Sequence, residues 1–248
     1  MRKNKEFIEI YGFHSVKAAL KNNNRKNNKL IITKKNKEKL NSKLLLKLNE
    51  IVELPIIKMN KIYGNEDIHQ GIVLKTSKLT QPSIDDIIDV ANKEIEVIVM
   101  LDHVSDPNNI GSIMRSCALF NCKSLIVAKN HSPNITPAII KSASGAIEIV
   151  NYIRVTNLCR TIKKLKKNNF WIIGLDTKNN KYKNKFIIPK KCLLILGSEG
   201  KGLRNLTKKE CDDIQNIPMK INIDFEIDSL NVSNACSIAL YNHYITHS

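Results

Sequence analysis

No run of this chain approaches the roughly 20 apolar residues that a bilayer-crossing helix needs. The opening residues, Met1-Arg-Lys-Asn-Lys-Glu-Phe-Ile-Glu-Ile10, lack the uninterrupted apolar core of a secretory signal. A soluble, cytoplasmic protein is therefore expected. The six cysteines (Cys117, Cys122, Cys159, Cys192, Cys211 and Cys236) form no Cys-x-x-Cys pair, and most sit inside apolar runs. They read as small buried hydrophobes in a reducing compartment rather than as disulfides or metal ligands. None of the six histidines (His14, His69, His103, His131, His243 and His247) shows metal-ligand spacing, and no metal is expected. Internal repeats and low-complexity blocks are also missing.

Acidic residues are in the minority: 40 Lys and Arg stand against 23 Asp and Glu, a formal charge of +17. Such an excess points to a polyanionic partner, because neutralising phosphates is its common use. The excess is uneven. Residues 1–82 hold 18 basic against 7 acidic side chains, net +11, while 83–248 hold 22 against 16, net +6. The first third is thus the expected docking surface, although scattered lysines can also be merely solvated. With 42% hydrophobic residues over 248 positions, the chain can fill one large core or two modest ones.

Two domains are expected. In residues 1–76, Ser15–Leu20 and Glu38–Leu48 read as helices and Leu30–Thr33 and Gly71–Lys75 as strands, giving a small α/β unit. Periodicity is lost in Ser77-Lys-Leu-Thr-Gln-Pro-Ser83, so residues 77–94 are read as a linker and a first helix that Ser83 caps from Ile84 to about Asn92. From 95 to 248, the near-continuous apolar runs Glu96–Leu101, Ser124–Ala128, Phe170–Leu175 and Cys192–Leu196 suggest parallel strands covered on both faces. Helical candidates alternate with them at Ile110–Phe120, Pro137–Ser142 and Leu158–Asn168, and a last helix is expected over Val232–Tyr244. The basic stretch Lys178–Lys191 reads as a loop.

Three segments follow strand-like runs or open helix-like ones, where an α/β protein places its ligand loops. In the first, Asn109-Ile-Gly-Ser-Ile-Met-Arg115, Asn109 and Arg115 lie under two helical turns apart and could flank one site. Alone, the same residues read equally as a capped loop and a surface arginine. The second, Leu196-Gly-Ser-Glu-Gly-Lys-Gly202, carries glycines that would let backbone approach a flat ligand such as adenosine. It is not a phosphate-binding loop, because Leu203 and Arg204 stand where Lys and Ser/Thr are required, and Asn205 breaks the dinucleotide pattern. The third, Ser229-Leu-Asn-Val-Ser-Asn234, brings amide and hydroxyl side chains to a helix entrance.

Together these segments resemble the three motifs of the SpoU/TrmH branch of the SPOUT methyltransferases, and Ile10-Tyr-Gly-Phe-His-Ser15 and His69-Gln-Gly-Ile72 are similar to the two ends of that family's L30e-like RNA-binding domain. The resemblance extends over nearly the whole chain. It implies an α/β fold in which a small L30e-like RNA-binding domain precedes a carboxy-terminal, trefoil-knotted SPOUT domain with a parallel sheet. It further implies S-adenosylmethionine as cofactor, held around Leu175, Gly197, Ile217 and Leu230. Arg115, Asn109, Glu199 and Asn231 take the catalytic positions, and a homodimer brings Arg115 close to the partner's cofactor. The expected reaction is 2′-O-methylation of a ribose, a guanosine of 23S rRNA by the two-domain form. The alternatives are a tRNA ribose and a non-catalytic RNA-binding protein. One departure stands out: Lys220-Ile-Asn-Ile-Asp-Phe-Glu-Ile-Asp228 is longer than the family's glycine-containing connection between Ile217 and Leu230.

Overall fold

The computed structural model describes residues 7–90, 94–176, 186–220 and 229–247. The chain divides into two compact units: residues 1–80 with 135–148, and residues 81–134 with 149–248. The segment 135–148, assigned by the sequence reading to the second domain, thus packs with the first unit.

The first unit runs β1 (Phe7–Tyr11), α1 (Phe13–Lys21), β2 (Asn27–Ile32), α2 (Lys34–Glu38), α3 (Ser42–Leu45), β3 (Glu50–Glu53), α4 (Ile56–Tyr63), α5 (Glu66–His69) and β4 (Ile72–Ser77). Its sheet has the order β1-β4-β2-β3; β4 is antiparallel to both neighbours and β2 is parallel to β3. The expected helix Glu38–Leu48 is two short helices instead. The Asn41 side chain accepts from the Lys43 amide and starts a new helix there, and neither α2 nor α3 buries a residue that would hold a longer one together. Strand β4 buries Ile72, Val73 and Leu74, and β2 buries Leu30, Ile31 and Ile32, so this pair forms the centre of the core. Helix α8 (Pro137–Ala143) and the 3-10 turn Ala146–Glu148 belong to this unit as well. Ser15 Oγ donates to the Ile140 carbonyl at 2.9 Å. Arg25 makes a two-pronged ion pair with Glu148, 2.8 Å at the closest, between side chains that are almost fully buried.

The second unit holds α6 (Ile84–Val90), β5 (Glu96–Asp102), α7 (Pro107–Leu119), β6 (Ser124–Ala128), β7 (Asn151–Val155), α9 (Leu158–Lys167), β8 (Trp171–Leu175), β9 (Lys191–Gly197), α10 (Asn205–Glu210), β10 (Asp213–Gln215) and α11 (Val232–His247). Ser83 does cap α6: its hydroxyl accepts from the Asp86 amide at 3.2 Å while Asp86 accepts from the Ser83 amide at 2.7 Å, a reciprocal capping box. Asn92, the expected end of that helix, lies outside the described residues, as do most of the basic stretch Lys178–Lys191 and residues 221–228 of the long connection.

Six parallel strands form one sheet in the order β10-β8-β9-β5-β6-β7. Strands β5, β6 and β9 are buried almost throughout, which is why their sequences are apolar runs rather than alternations. The cysteines pack as expected: Cys117, Cys122, Cys192 and Cys236 are buried, and burial pushes the Cys192 thiol far up and that of Cys211 to about 12. The register sets Asp102 opposite Gly197 and Leu175 opposite Leu196, so the carboxyl ends of β5, β9 and β8 open on one edge. Ligands bind at that edge in open parallel sheets.

Candidate active site and its relatives

All three motifs converge beyond the carboxyl edge of this second sheet. Asn109 lies in the first turn of α7, a helix begun by the Asp106 side chain, which accepts from the Asn108 amide at 3.0 Å, and by Pro107. Glu199 lies in the loop after β9. Asn231 precedes α11 and caps it: its Oδ1 accepts from the Ser233 amide at 2.9 Å and from the Ser233 hydroxyl at 2.6 Å. With Oδ1 committed to the cap, the Asn231 amide nitrogen is turned to the other two motifs. It donates to Glu199 Oε1 at 2.6 Å and to Asn109 Oδ1 at 3.1 Å, and Asn109 Nδ2 donates to the same Glu199 oxygen at 3.0 Å. Residues 90 and 122 positions from Asn109 thereby close a triangle in which the carboxylate fixes both amides. Among the described residues Glu199 Oε2 has no partner, which leaves it to a ligand.

Leu175, Gly197, Ile217 and Leu230 line one pocket beside this triangle, along with Leu196, Glu199, Asn216, Met219 and Val232. Its lining mixes aliphatic side chains with glycines and with the polar side chains of Asp176, Ser198 and Ser229. A Cβ on Gly197 would lie 2.1 Å from the carbonyl carbon of Gly202, a contact no side chain tolerates, so backbone meets backbone there. Gly200 and Gly202 adopt positive φ and turn the loop back on itself, where the Gly202 amide donates to the Ser198 carbonyl at 2.9 Å. A flat aromatic ring with polar edges suits a slot of this composition, in which aliphatic side chains stand beside polar and peptide groups.

Arg115 stands apart from the triangle. It is exposed on α7, six residues beyond Asn109, which places it about 9 Å further along the helix axis and on a different face. The same face carries the exposed Leu119 one turn later. Helix α7 packs against α11 through the Ser116–Ser237 hydroxyl pair at 2.6 Å, and Phe120 meets Tyr241 and Tyr244 with ring centroids 5.8 and 6.1 Å apart.

Sequence reasoning missed two ion pairs. Asp102, fully buried at the end of β5, accepts from Arg204 Nε at 2.6 Å and from the Arg204 amide at 3.1 Å, and so ties the β9 loop to the neighbouring strand. Asp176 at the end of β8 pairs with Lys208 at 2.6 Å. Carboxylates ending apolar strands were the available signal, but their partners lie too far along the chain to be paired from spacing.

The SpoU rRNA Methylase family model matches residues 96–241, and the model for RNA 2′-O ribose methyltransferase substrate binding matches residues 10–82. The chain belongs to the SpoU methylase family. SpoU relatives match it nearly end to end. The 23S rRNA (guanosine-2′-O-)-methyltransferase RlmB of Escherichia coli is 34% identical over 239 residues, spanning 94% of this chain and 96% of its own. RlmB of Coxiella burnetii is 32% identical over 237 residues, spanning 94% and 93%. In fold, the SpoU methyltransferase AviRb of Streptomyces viridochromogenes, solved in complex with the cofactor AdoMet, superimposes with a TM-score of 0.77 at 22% identity, covering 97% of this chain and 90% of its own. As a SpoU methylase the protein is an RNA 2′-O-ribose methyltransferase that uses S-adenosylmethionine.

Proposed function

We propose that this protein methylates the 2′-oxygen of a guanosine ribose in 23S rRNA, with the pocket around Gly197 holding S-adenosylmethionine and the triangle Asn109–Glu199–Asn231 ordering the site next to it. The convergence of three distant motifs on one pocket is the observation that carries this reading. The names of the end-to-end relatives supply the target. Ribosomal RNA as substrate agrees with a cytoplasmic site of action. Among the described residues no helix is long and apolar enough to cross a membrane.

The bound cofactor supplies an electrophilic methyl group on a sulfonium sulfur. Leu175, Ile217 and Leu230 would hold the cofactor, with Gly197 leaving the pocket floor free of a side chain. Glu199 and the two amides form a preorganised polar wall that needs no rearrangement as the reaction proceeds. Arg115 orients the ribose 2′-oxygen and stabilises the negative charge that grows on it; its guanidinium keeps its proton and acts by charge and hydrogen bonding. The reach of Arg115 follows from a second proposal, that two copies associate through α7 and α11. In support, Leu119, Ile238, Tyr241, Tyr244 and Ile245 are all exposed on these two helices. Arg115 then faces the partner's pocket. We further propose that the carboxy-terminal part of the second unit is knotted, supported by the way Ile217 and Leu230 line one pocket with the β9 loop. The first unit, which carries more of the positive excess, grips folded RNA through phosphates and shape.

Labelled methyl transfer to total RNA from cells lacking this gene tests the reading. Label confined to the large-subunit rRNA is the expected result. Label in tRNA would overturn the target but not the reaction, and absence of both label and cofactor binding would leave an RNA-binding protein without activity.

A further inference from the structure

Just outside the triangle, two histidines meet at the carboxyl ends of neighbouring strands. His103 follows β5 and His131 lies in the turn after β6; their ring centroids are 3.9 Å apart. The turn is firmly held, since Ser132 Oγ donates to the Val104 carbonyl at 3.1 Å and Arg154 of β7 donates to the Lys129 and Ser132 carbonyls. His103 sits at φ 65°, in the left-handed region that residues with a Cβ seldom occupy, and its Nε2 is buried with no hydrogen-bond partner among the described residues. A buried imidazole nitrogen without a partner is costly unless a ligand completes it. Burial first, then Arg204 and His131, push His103 below the usual histidine range, with Asp102 opposing and Lys201, exposed in the same loop as Glu199, adding to the shift. Arg204 already engages Asp102, so the cation left for a ligand is Lys201.

We infer that His103, His131 and Lys201 form a binding site for a backbone phosphate of the RNA strand that carries the target ribose. A phosphodiester is the ligand that answers every feature together. Its oxygens accept from the orphaned Nε2, its charge is favoured by Lys201 and Arg204, and it occurs on both sides of any ribose presented to the triangle. The site lies at the carboxyl edge of the sheet that also carries Glu199, whereas most of the net positive charge is in residues 1–82. This inference rests on the proposed methyl transfer to RNA and adds to it a group that positions the substrate. An anion at this site favours imidazolium over imidazole, so phosphate binding takes up a proton and RNA affinity falls as pH rises.

The test is the affinity of the full-length protein for unmodified large-subunit rRNA, measured by filter retention against salt and pH, beside methyl-transfer kinetics and S-adenosylmethionine binding. Two variants are used. His103→Gly removes the imidazole at a backbone conformation that glycine accepts freely; Lys201→Gln removes an exposed charge without touching the fold. Each should weaken RNA binding and raise the KM for RNA by about 5- to 10-fold, with smaller effects on kcat and none on S-adenosylmethionine affinity. Lys201→Gln should lower the salt slope of log affinity by about 1, as expected for one lost phosphate contact. Wild-type affinity should fall as pH rises out of the range in which His103 is protonated, and His103→Gly should flatten that dependence. Unchanged affinity, salt slope and pH profile in both variants, with methyl transfer intact, would overturn the phosphate site and leave the reaction standing. Failure of the wild-type protein to methylate or bind rRNA would instead overturn the reading on which the site rests.

Discussion

At the residue scale, the roles proposed for Arg115 and for the amide-carboxylate triangle predict different responses to substitution. Arg115→Ala is expected to lower kcat by about 10²–10³-fold, the range for removing a donor aimed at developing negative charge. Arg115→Lys should restore only part, because an ammonium lacks the planar fork. S-adenosylmethionine affinity, read by calorimetry, should stay within about twofold for both; a kcat near wild type in Arg115→Ala would remove the proposed role. The triangle should behave as one unit, since Glu199 Oε1 accepts from both amides and each removal frees the others. Asn231→Ala also uncaps α11, costing about 1 kcal/mol by thermal unfolding in addition to activity. The meeting of Asn109, Glu199 and Asn231 could be anticipated from the three motifs and the family they resemble. The Asp102–Arg204 pair and the two neighbouring histidines could not, because only the pairing of β5 with β9 and β6 brings them together. The buried Arg25–Glu148 pair was equally unreadable across its separation of 123 residues. Glu148→Ala should cost about 3–5 kcal/mol in denaturant unfolding, because it leaves a guanidinium buried without its counter-charge.

At the scale of elements, sequence patterns were readable where burial is two-sided. The apolar runs of β5, β6, β8 and β9 matched parallel strands closely, and α9 shows its core face as Leu158, Ile162 and Leu165. Strand β7 escaped notice because Asn151-Tyr-Ile-Arg-Val155 mixes polar and apolar residues at a sheet edge, and β3 and β10 are too short to show a period. Helix α2–α3 was overread because a lysine- and leucine-rich run resembles one helix when the Asn41 cap inside it is ignored. The β9 loop offers a sharp test of element geometry. Gly197→Ala forces a Cβ into the Gly202 peptide and should abolish measurable S-adenosylmethionine binding, while the circular dichroism of the sheet persists. Helix α11 carries a pH dependence of stability. His243 is packed in its core face, donates from Nε2 to the Lys190 carbonyl at 3.0 Å and is held below 6.5, first by burial and then by His247 against the opposing hydrogen bond. Its depressed folded-state value means that the unfolded chain binds the extra proton first. Stability is therefore full above about pH 6.5 and falls as pH drops through that value toward the folded one, which thermal unfolding between pH 7 and 5 should show.

For the whole molecule, charge, association and target belong together. With a net charge of +17, RNA binding should weaken as salt rises, and the larger net excess in residues 1–82 predicts a substantial part of that dependence there. One change of unit falls between Thr80 and Gln81, inside the stretch Ser77–Ser83 where periodicity is lost. The return of residues 135–148 to the first unit was not readable, because nothing in the helix Pro137–Ala143 announces its partners. The exposed apolar faces of α7 and α11 predict a two-chain particle by sedimentation; the double substitution Ile238→Glu and Tyr241→Glu should yield monomers with reduced methyl transfer, whereas wild-type monomers would leave Arg115 without the proposed site to face. The central claim, transfer of a methyl group to a ribose oxygen of 23S rRNA, is tested most directly by nucleoside mass spectrometry of large-subunit rRNA from cells lacking this gene, after incubation with the purified protein and S-adenosylmethionine. The account predicts one new 2′-O-methylguanosine, formed by the wild-type protein and nearly absent with Arg115→Ala; a methyl group on a base, or no new modified nucleoside, would contradict it.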